Sequence, residues 1–178
     1  AAGCLLIVLH HLAFYGPMSD VVAMAWPGLV GWLYDHARLA VQVFLVCAGF
    51  LTAGGLARHA SLAWREALQL AWLRYMRLAI PLLAALSFTV LVSEGVRPGF
   101  DHPSLSAEPA WGQALAHILL AQHLLDMEAL SAGIWYVAID FQLYAMTLLS
   151  VLVLNFWPQT KGPLSVHTLR WALWLVLT

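Results

Sequence analysis

One aspartate lies in the middle of a long apolar stretch of this sequence. Residues 133–157 read GIWYVAIDFQLYAMTLLSVLVLNFW, and Asp140 is their only charged group. Placing an ionisable side chain in hydrocarbon costs roughly 2.5 to 3.5 kcal/mol on insertion scales, so such a residue usually faces other helices and has a function. Asp140 is therefore a candidate catalytic residue, and the alternative is a structural carboxylate that hydrogen bonds hold between helices.

Two adjacent histidines, His10 and His11, lie in the apolar run that opens the sequence. An imidazole titrates near neutral pH and can accept a proton from a hydroxyl group, as a general base must. A neutral imidazole hydrogen-bonded between helices is the alternative. Neighbouring residues of a helix point about 100° apart, so we expect that both do not face one cavity squarely.

Asp140 belongs to a polar stripe formed by Tyr136, Asp140, Tyr144 and Thr147. Their spacing puts all four on one face of a helix, which predicts that this face lines a packed interface or a cavity. A carboxylate beside an imidazole fixes the tautomer and stabilises the imidazolium. A contact between Asp140 and His11 is therefore a hypothesis that depends on how the helices pack.

Two arginines, Arg74 and Arg77, are one helical turn apart and share a face. Guanidinium groups bind phosphate through paired, charge-assisted hydrogen bonds, so two of them at a membrane surface suit a phosphate-bearing substrate. Arginines at the end of a span also fix its orientation without any further role.

The composition is that of a membrane protein. The chain has 178 residues, of which 62% are hydrophobic and 10% are charged, whereas soluble domains are about 25% charged. The net charge of -1 gives no indication of a nucleic-acid partner. Cys4 and Cys47 lie in apolar runs without disulfide or zinc spacing, so no metal site is predicted.

The apolar runs predict an all-α, polytopic transmembrane bundle, because helices satisfy every backbone group in lipid and need about 20 residues to cross. We predict about six spans, the first and last truncated, within one membrane-embedded domain over residues 1–178. The predicted spans are 1–15, 39–56, 77–92, 111–125, 133–157 and 166–178. The fourth span is polar, so its face with Gln113, His117, Gln122 and His123 must turn toward protein.

The arginines predict the orientation. Arg58, Arg65, Arg74 and Arg77 lie between the second and third predicted spans, which places residues 57–73 in the cytoplasm and the loops 16–37 and 93–110 outside. The first and fifth spans then run outward, and Arg74 and Arg77 lie at the cytoplasmic end of the third span. Since the chain begins and ends within apolar runs, we expect it to be a piece of a longer protein.

Four motifs together resemble the acyltransferase-3 family of integral membrane acyltransferases. Members begin with an arginine, ten residues and a histidine, and IVLHH fits this ending, with His11 in place if an arginine preceded Ala1. AVQVFLVCAGFL matches at Gly49 and Phe50, with Gln42 for a frequent acid and Ala48 for the usual serine. WLRYMRLAIPLL matches at Arg74, Arg77, Ile80 and Pro81. IWYVAIDFQLYAM matches at Trp135, Gln142 and Tyr144, with Asp140 for the usual glutamate and Phe141 for a second acid found in many members.

The resemblance covers nearly all of the chain and corresponds to about the N-terminal half of a typical member. It implies an acyl-CoA-dependent O-acyltransferase of the bacterial plasma membrane, with acyl-CoA, expected to be acetyl-CoA, as co-substrate and no bound cofactor. It implies a cell-envelope glycan or glycolipid as acceptor. Arg74 and Arg77 would bind the donor phosphates, and His11, or His10 if the register differs by one, would be the base or a transient acyl carrier.

In the same resemblance, Asp140 would orient or charge-balance the imidazole, and Trp135, Tyr136, Gln142 and Tyr144 would support the site. The alternative is a secondary transporter or proton-coupled channel, which also places His and Asp within spans. Such proteins usually carry a matching pair of Gly- or Pro-broken spans, and this sequence shows none.

Overall fold

The fold is seen in a computed structural model that describes residues 2–15, 18–56, 62–100, 105, 108–131 and 133–156, the last three of them by backbone only. Its helices are α1 (Ala2–Phe14), α2 (Met18–Ala25), α3 (Pro27–His36), α4 (Leu39–Leu56), α5 (Trp64–Val96), α6 (Trp111–Ile118) and α7 (Ile134–Phe156), with a 3-10 turn at Arg97–Gly99. No strand occurs among these residues, which confirms the all-α prediction.

Three helical stretches of the described chain are long and apolar enough to cross a membrane: Pro27–Leu56, Trp64–Gly99 and Ile134–Val153. A fourth is present if the bent pair α1–α2 counts as one span. The number is lower than the six predicted, and the predicted span 166–178 lies outside the described residues. The second predicted span, 39–56, has the bounds of α4.

The third predicted span differs at its start, because α5 begins at Trp64 rather than near Arg77. The intervening residues, WREALQLAWL, are mostly strong helix formers, which extend the helix beyond the apolar run. Glu66 caps this end, since its carboxylate accepts the backbone N–H of Ala63 at 3.1 Å. Arg74 therefore lies well inside α5 instead of at its end, a correction to the predicted position.

The fourth predicted span, 111–125, is not one continuous helix. Helix α6 ends at Ile118 and is about 12 Å long at ~1.5 Å per residue, too short to cross. Positive φ angles at Leu120 (53°) and Asp126 (51°) then turn the chain back. Residues 108–131 thus form a hairpin, here called the re-entrant hairpin, whose tip contacts α5 and α7.

Side-chain hydrogen bonds join the two arms of the re-entrant hairpin. Gln113 Nε2 donates to the Glu128 carbonyl at 2.7 Å, and His117 Nε2 accepts from the Leu130 N–H at 3.2 Å. Gln113, His117 and Gln122 are buried, as predicted for the polar face, whereas His123 is exposed. These bonds satisfy polar groups of the hairpin that would otherwise lack partners where its backbone is irregular.

Helices α5 and α7 pack side by side in opposite directions. Leu82 and Leu86 of α5 lie in one apolar cluster with Ile134 and Ala138 at the start of α7. A second cluster joins Ala67, near the start of α5, to Leu148 and Val151 far along α7. The prediction that the fifth span runs outward, as the third does, is therefore wrong, because the re-entrant hairpin does not cross between them.

Helix α1 packs against α3 and α4. A Cβ added at Gly3 would lie 2.8 Å from the Phe44 ring, so a glycine allows this ring to approach α1 closely. At the other end of α1, the rings of Phe14 and Tyr34 stack with centroids 5.2 Å apart. These contacts place the two histidines of α1 beside the beginning of α4.

Candidate active site

A cavity of about 680 Å³, here called the histidine cavity, opens beside α1 and the start of α7. Helix α1 contributes both histidines and the Phe14 ring, and Tyr15 follows directly after it. Helix α5 contributes two hydroxyl groups in its second half, and the returning arm of the re-entrant hairpin contributes a carboxylate. Its main polar and aromatic lining residues are His10, His11, Phe14, Tyr15, Arg38, Thr89, Ser93, Glu128, Ser131 and Trp135.

The two histidines both line this cavity but are held differently. His10 Nδ1 donates to the Leu33 carbonyl of α3 at 3.0 Å, which leaves its Nε2 as the acceptor nitrogen. The His11 ring lies parallel to that of Tyr15 with centroids 6.1 Å apart. Its Nε2 lies close to Gly133, where an added Cβ would be 3.4 Å away.

A second cavity of about 410 Å³, the arginine cavity, lies between the C-terminal half of α4, the first part of α5 and the middle of α7. Arg74, Arg77 and Tyr144 give it its polar groups, and Thr52 and Gly55 of α4 form part of the opposite wall. The two arginines share this cavity as their spacing predicts. The guanidinium groups can therefore meet one phosphate-bearing ligand.

Asp140 pairs with Arg74. Arg74 Nη2 donates to both carboxylate oxygens, at 2.9 Å and 2.7 Å, and the Asp140 side chain is 6% exposed. The hypothesis that Asp140 contacts His11 is not realised, because Asp140 lies about 10 Å along α7 from Gly133, the neighbour of His11. The pair joins α5 to α7 at the arginine cavity, which Arg74 lines.

Three of the four residues of the polar stripe line a small space of about 40 Å³ against α4, in line with the prediction that this face lines an interface or a cavity. These three, Asp140, Tyr144 and Thr147, lie opposite Ala48 and Gly49, whose small size leaves room for the space. This space and the arginine cavity share Thr52 and Tyr144 as lining residues. The stripe is therefore a polar wall that begins at the arginine cavity.

The predicted supporting residues are divided among different parts of the structure. Trp135 lines the histidine cavity, and the Tyr144 ring lies 5.4 Å from the Arg74 guanidinium carbon. Gln142 Nε2 donates to the Leu120 carbonyl at the tip of the re-entrant hairpin, at 2.9 Å. Tyr136, one turn before Asp140, is half-buried.

Sequence reasoning did not identify several lining residues of the histidine cavity, namely Arg38, Thr89, Ser93, Glu128 and Ser131. They come from separate elements and carry no local motif. The Arg74–Asp140 pair could have been predicted from the sequence, because charged residues within membrane spans commonly pair with one another. Among the described residues, no group of three or more His, Cys, Asp or Glu side chains is placed to hold a metal ion.

Membrane-spanning helices around two polar cavities define a polytopic membrane protein with two candidate substrate sites. The chain matches the acyltransferase-3 family model, described as an acyltransferase domain, over residues 1–178, and it belongs to this family. It is therefore a membrane acyltransferase, which favours the enzyme over the transporter alternative. No curated protein matches the chain, and no solved structure matches it either.

Proposed function

We propose that this acyltransferase moves an acetyl group from acetyl-CoA to a hydroxyl group of a cell-envelope glycan or glycolipid in the bacterial plasma membrane. The observation that carries the proposal is the separation of two polar cavities along the α5–α7 pair. Two guanidinium groups line one cavity, and two imidazoles line the other. The first suits the phosphates of the donor, and the second suits a base that activates an acceptor.

The arginine cavity supports an acyl-CoA as the donor. Coenzyme A carries its phosphates at one end and its thioester at the other, with the long pantetheine arm between them. Arg74 and Arg77 would bind the phosphates, and the arm would follow the stripe on α7. Acetyl as the transferred group follows from the resemblance to the family, since the small space beside Asp140, about 40 Å³, lies at the phosphate end of this donor site.

The lining of the histidine cavity supports a carbohydrate acceptor. Phe14, Tyr15 and Trp135 present aromatic rings, and an amphipathic ring of this kind packs on the apolar face of a sugar. Glu128 and Ser131 offer groups that hydrogen-bond to sugar hydroxyls. A glycan or the head group of a glycolipid uses both kinds of contact, whereas a fatty chain uses only the first.

The proposed reaction needs one base. His11 takes the proton of the acceptor hydroxyl as its oxygen attacks the thioester carbonyl. The carbon–sulfur bond breaks, the acetyl group becomes an ester of the acceptor, and the coenzyme A thiolate takes up the proton. His10 also lines the cavity and keeps its Nε2 as an acceptor, since it is Nδ1 that bonds to the Leu33 carbonyl. We assign the base to His11 because it takes the position of the motif histidine in the family resemblance.

The first test is transfer of labelled acetyl from acetyl-CoA to the envelope glycan fraction, in membranes that contain the full-length protein. We expect label with the wild type, none with His11→Ala, and reduced but measurable label with His10→Ala. Loss of label with His10→Ala together with full activity of His11→Ala would assign the base to His10. Absence of label from the wild type, with normal expression, would contradict acetyl-CoA as the donor.

A further inference from the structure

Arg74 and Arg77 line one cavity but have different surroundings. The Arg74 side chain is 25% exposed and is engaged by the Asp140 carboxylate and the Tyr144 ring. Arg77 is exposed, and in the described part of the chain no ion pair involves it. The two residues of the motif are therefore not equivalent in the folded protein.

The charge of Arg74 is compensated where it lies. Asp140 is buried, so its interaction with Arg74 is screened less than a surface pair would be. Seen from the arginine cavity, the pair carries no net charge. Arg77 is the remaining charged side chain among the residues that line this cavity, and it supplies the long-range attraction for an anion.

The hydrogen bonds of the Arg74 nitrogens also indicate that Arg74 and Arg77 have different roles. Nη2 is occupied by Asp140, and Nε is buried without a hydrogen-bond partner. Nη1 is left as the nitrogen that can meet a ligand in the arginine cavity. Arg74 can then offer a donor from a fixed position, because α7 holds its guanidinium through Asp140 and Tyr144.

We infer that Asp140 is a positioning residue of the donor site, which holds Arg74 in the wall of the arginine cavity while Arg77 provides the unpaired charge that attracts the donor. The inference rests on the proposed function in one respect, the identity of the donor as an acyl-CoA. Asp140 then acts where the phosphates of the donor bind, and it does not orient the catalytic histidine.

The test uses purified full-length protein in lipid nanodiscs and five variants: Arg77→Gln, Arg74→Gln, Asp140→Asn, Asp140→Glu and the double variant Arg74→Gln/Asp140→Asn. The measurements are the unfolding temperature of each variant, and KM and kcat for acetyl-CoA as functions of pH. Glutamine and asparagine keep hydrogen-bonding groups while they remove the charges. Asp140→Glu keeps the charge.

We expect Arg77→Gln to raise KM for acetyl-CoA about tenfold with an unchanged unfolding temperature, because it removes a charge-assisted contact made only with the ligand. Arg74→Gln should lower the unfolding temperature most, because it leaves the buried Asp140 unpaired. The double variant should recover much of that loss. Asp140→Asn should raise KM and leave the pH midpoint of kcat unchanged, and Asp140→Glu should retain more of the wild-type KM.

Two results would overturn the inference. A shift of the pH midpoint of kcat in Asp140→Asn would show that Asp140 acts on the base. If the decrease in unfolding temperature of the double variant equals the sum of the two single decreases, the Arg74–Asp140 pair does not hold α5 and α7 together. The second measurement needs no donor, so it decides the role of the pair even where the wild type fails to use acetyl-CoA, a failure that would contradict the proposed function alone.

Discussion

Gly133, the residue directly before α7, lies against the proposed base. Its φ angle of 82° lies in the left-handed region, which glycine adopts far more readily than other residues. An added Cβ would also lie 3.4 Å from His11 Nε2. Gly133→Ala should therefore destabilise the protein by about 1–3 kcal/mol and lower acetyl transfer, as measured by unfolding in mixed micelles and by the transfer assay.

The matched control for this prediction is Gly95→Ala. Gly95 is part of α5, and an added Cβ there meets nothing within 4 Å. We expect an unchanged or slightly raised stability, because alanine is the better helix former. Equal effects of the two substitutions would contradict the role assigned to the Gly133 conformation.

At the scale of residues, the sequence predicted which side chains make polar contacts within the bundle better than it predicted the partners of those contacts. Asp140 is buried and engaged, as a lone charge in an apolar run implies. Its assignment to His11 rested on chemistry alone, since an aspartate commonly supports an imidazole. Asp140 pairs with Arg74 instead, because α7 runs antiparallel to α5. The direction of α7 depends on contacts between residues that are distant in sequence.

The re-entrant hairpin is the element that distinguishes this fold from a row of simple spans. Its tip is fixed to α5 by Tyr75, whose hydroxyl donates to the Ile118 carbonyl at 2.8 Å. It is fixed to α7 by Gln142 through the Leu120 carbonyl. Since Leu120 is 1% exposed, water cannot easily replace a bond that is lost there.

Gln142→Leu tests the attachment of the hairpin to α7. The substitution leaves the buried Leu120 carbonyl without its donor, which should cost on the order of 1 kcal/mol. We expect faster amide hydrogen exchange in residues 119–130 and a lower unfolding temperature. Mass spectrometry of the exchanged protein in nanodiscs measures the first effect directly.

Ser150→Ala is the control for Gln142→Leu. Ser150 also donates to a carbonyl, that of Met146 at 2.8 Å, but within its own helix. Its removal should change exchange in residues 119–130 little. Faster exchange there in Ser150→Ala, or normal exchange in Gln142→Leu, would contradict the attachment of the hairpin through Gln142.

Apolar run length predicted some elements well and others poorly. The run at residues 39–56 became α4 without change. Residues 64–73 joined α5 because helix propensity continues where hydropathy falls. Residues 111–125 were apolar enough to be predicted as a span, but Gln113 and His117 bond across a hairpin instead and Gln122 is buried in it. These contacts lie beyond the reach of a local pattern.

At the scale of the whole molecule, the hairpin determines which ends of the helices share a membrane face. The end of α5 and the start of α7 lie at one face because the chain between them returns rather than crosses. The arginine-based prediction of orientation puts this face outside. On that prediction the histidine cavity opens outward and the arginine cavity lies toward the cytoplasm, the side at which the proposed donor is available.

Cysteine labelling tests this arrangement in intact cells. Glu108→Cys and Ser131→Cys flank the re-entrant hairpin and should both react with a membrane-impermeant maleimide added outside. The background protein carries Cys4→Ala and Cys47→Ala, and Arg65→Cys serves as the control that labels only after the cells are opened. Reaction of Glu108→Cys alone would show that residues 111–125 cross the membrane.

A membrane that stores energy as an ion gradient tolerates no open water path through its proteins. In the described part of the chain, the histidine cavity shares no lining residue with the arginine cavity or with the small space beside Asp140. The Arg74–Asp140 pair joins α5 to α7 at the arginine-cavity side of that division, and its two opposite charges are paired with each other. The proposed enzyme would then take substrates from both faces while the gradient remains intact.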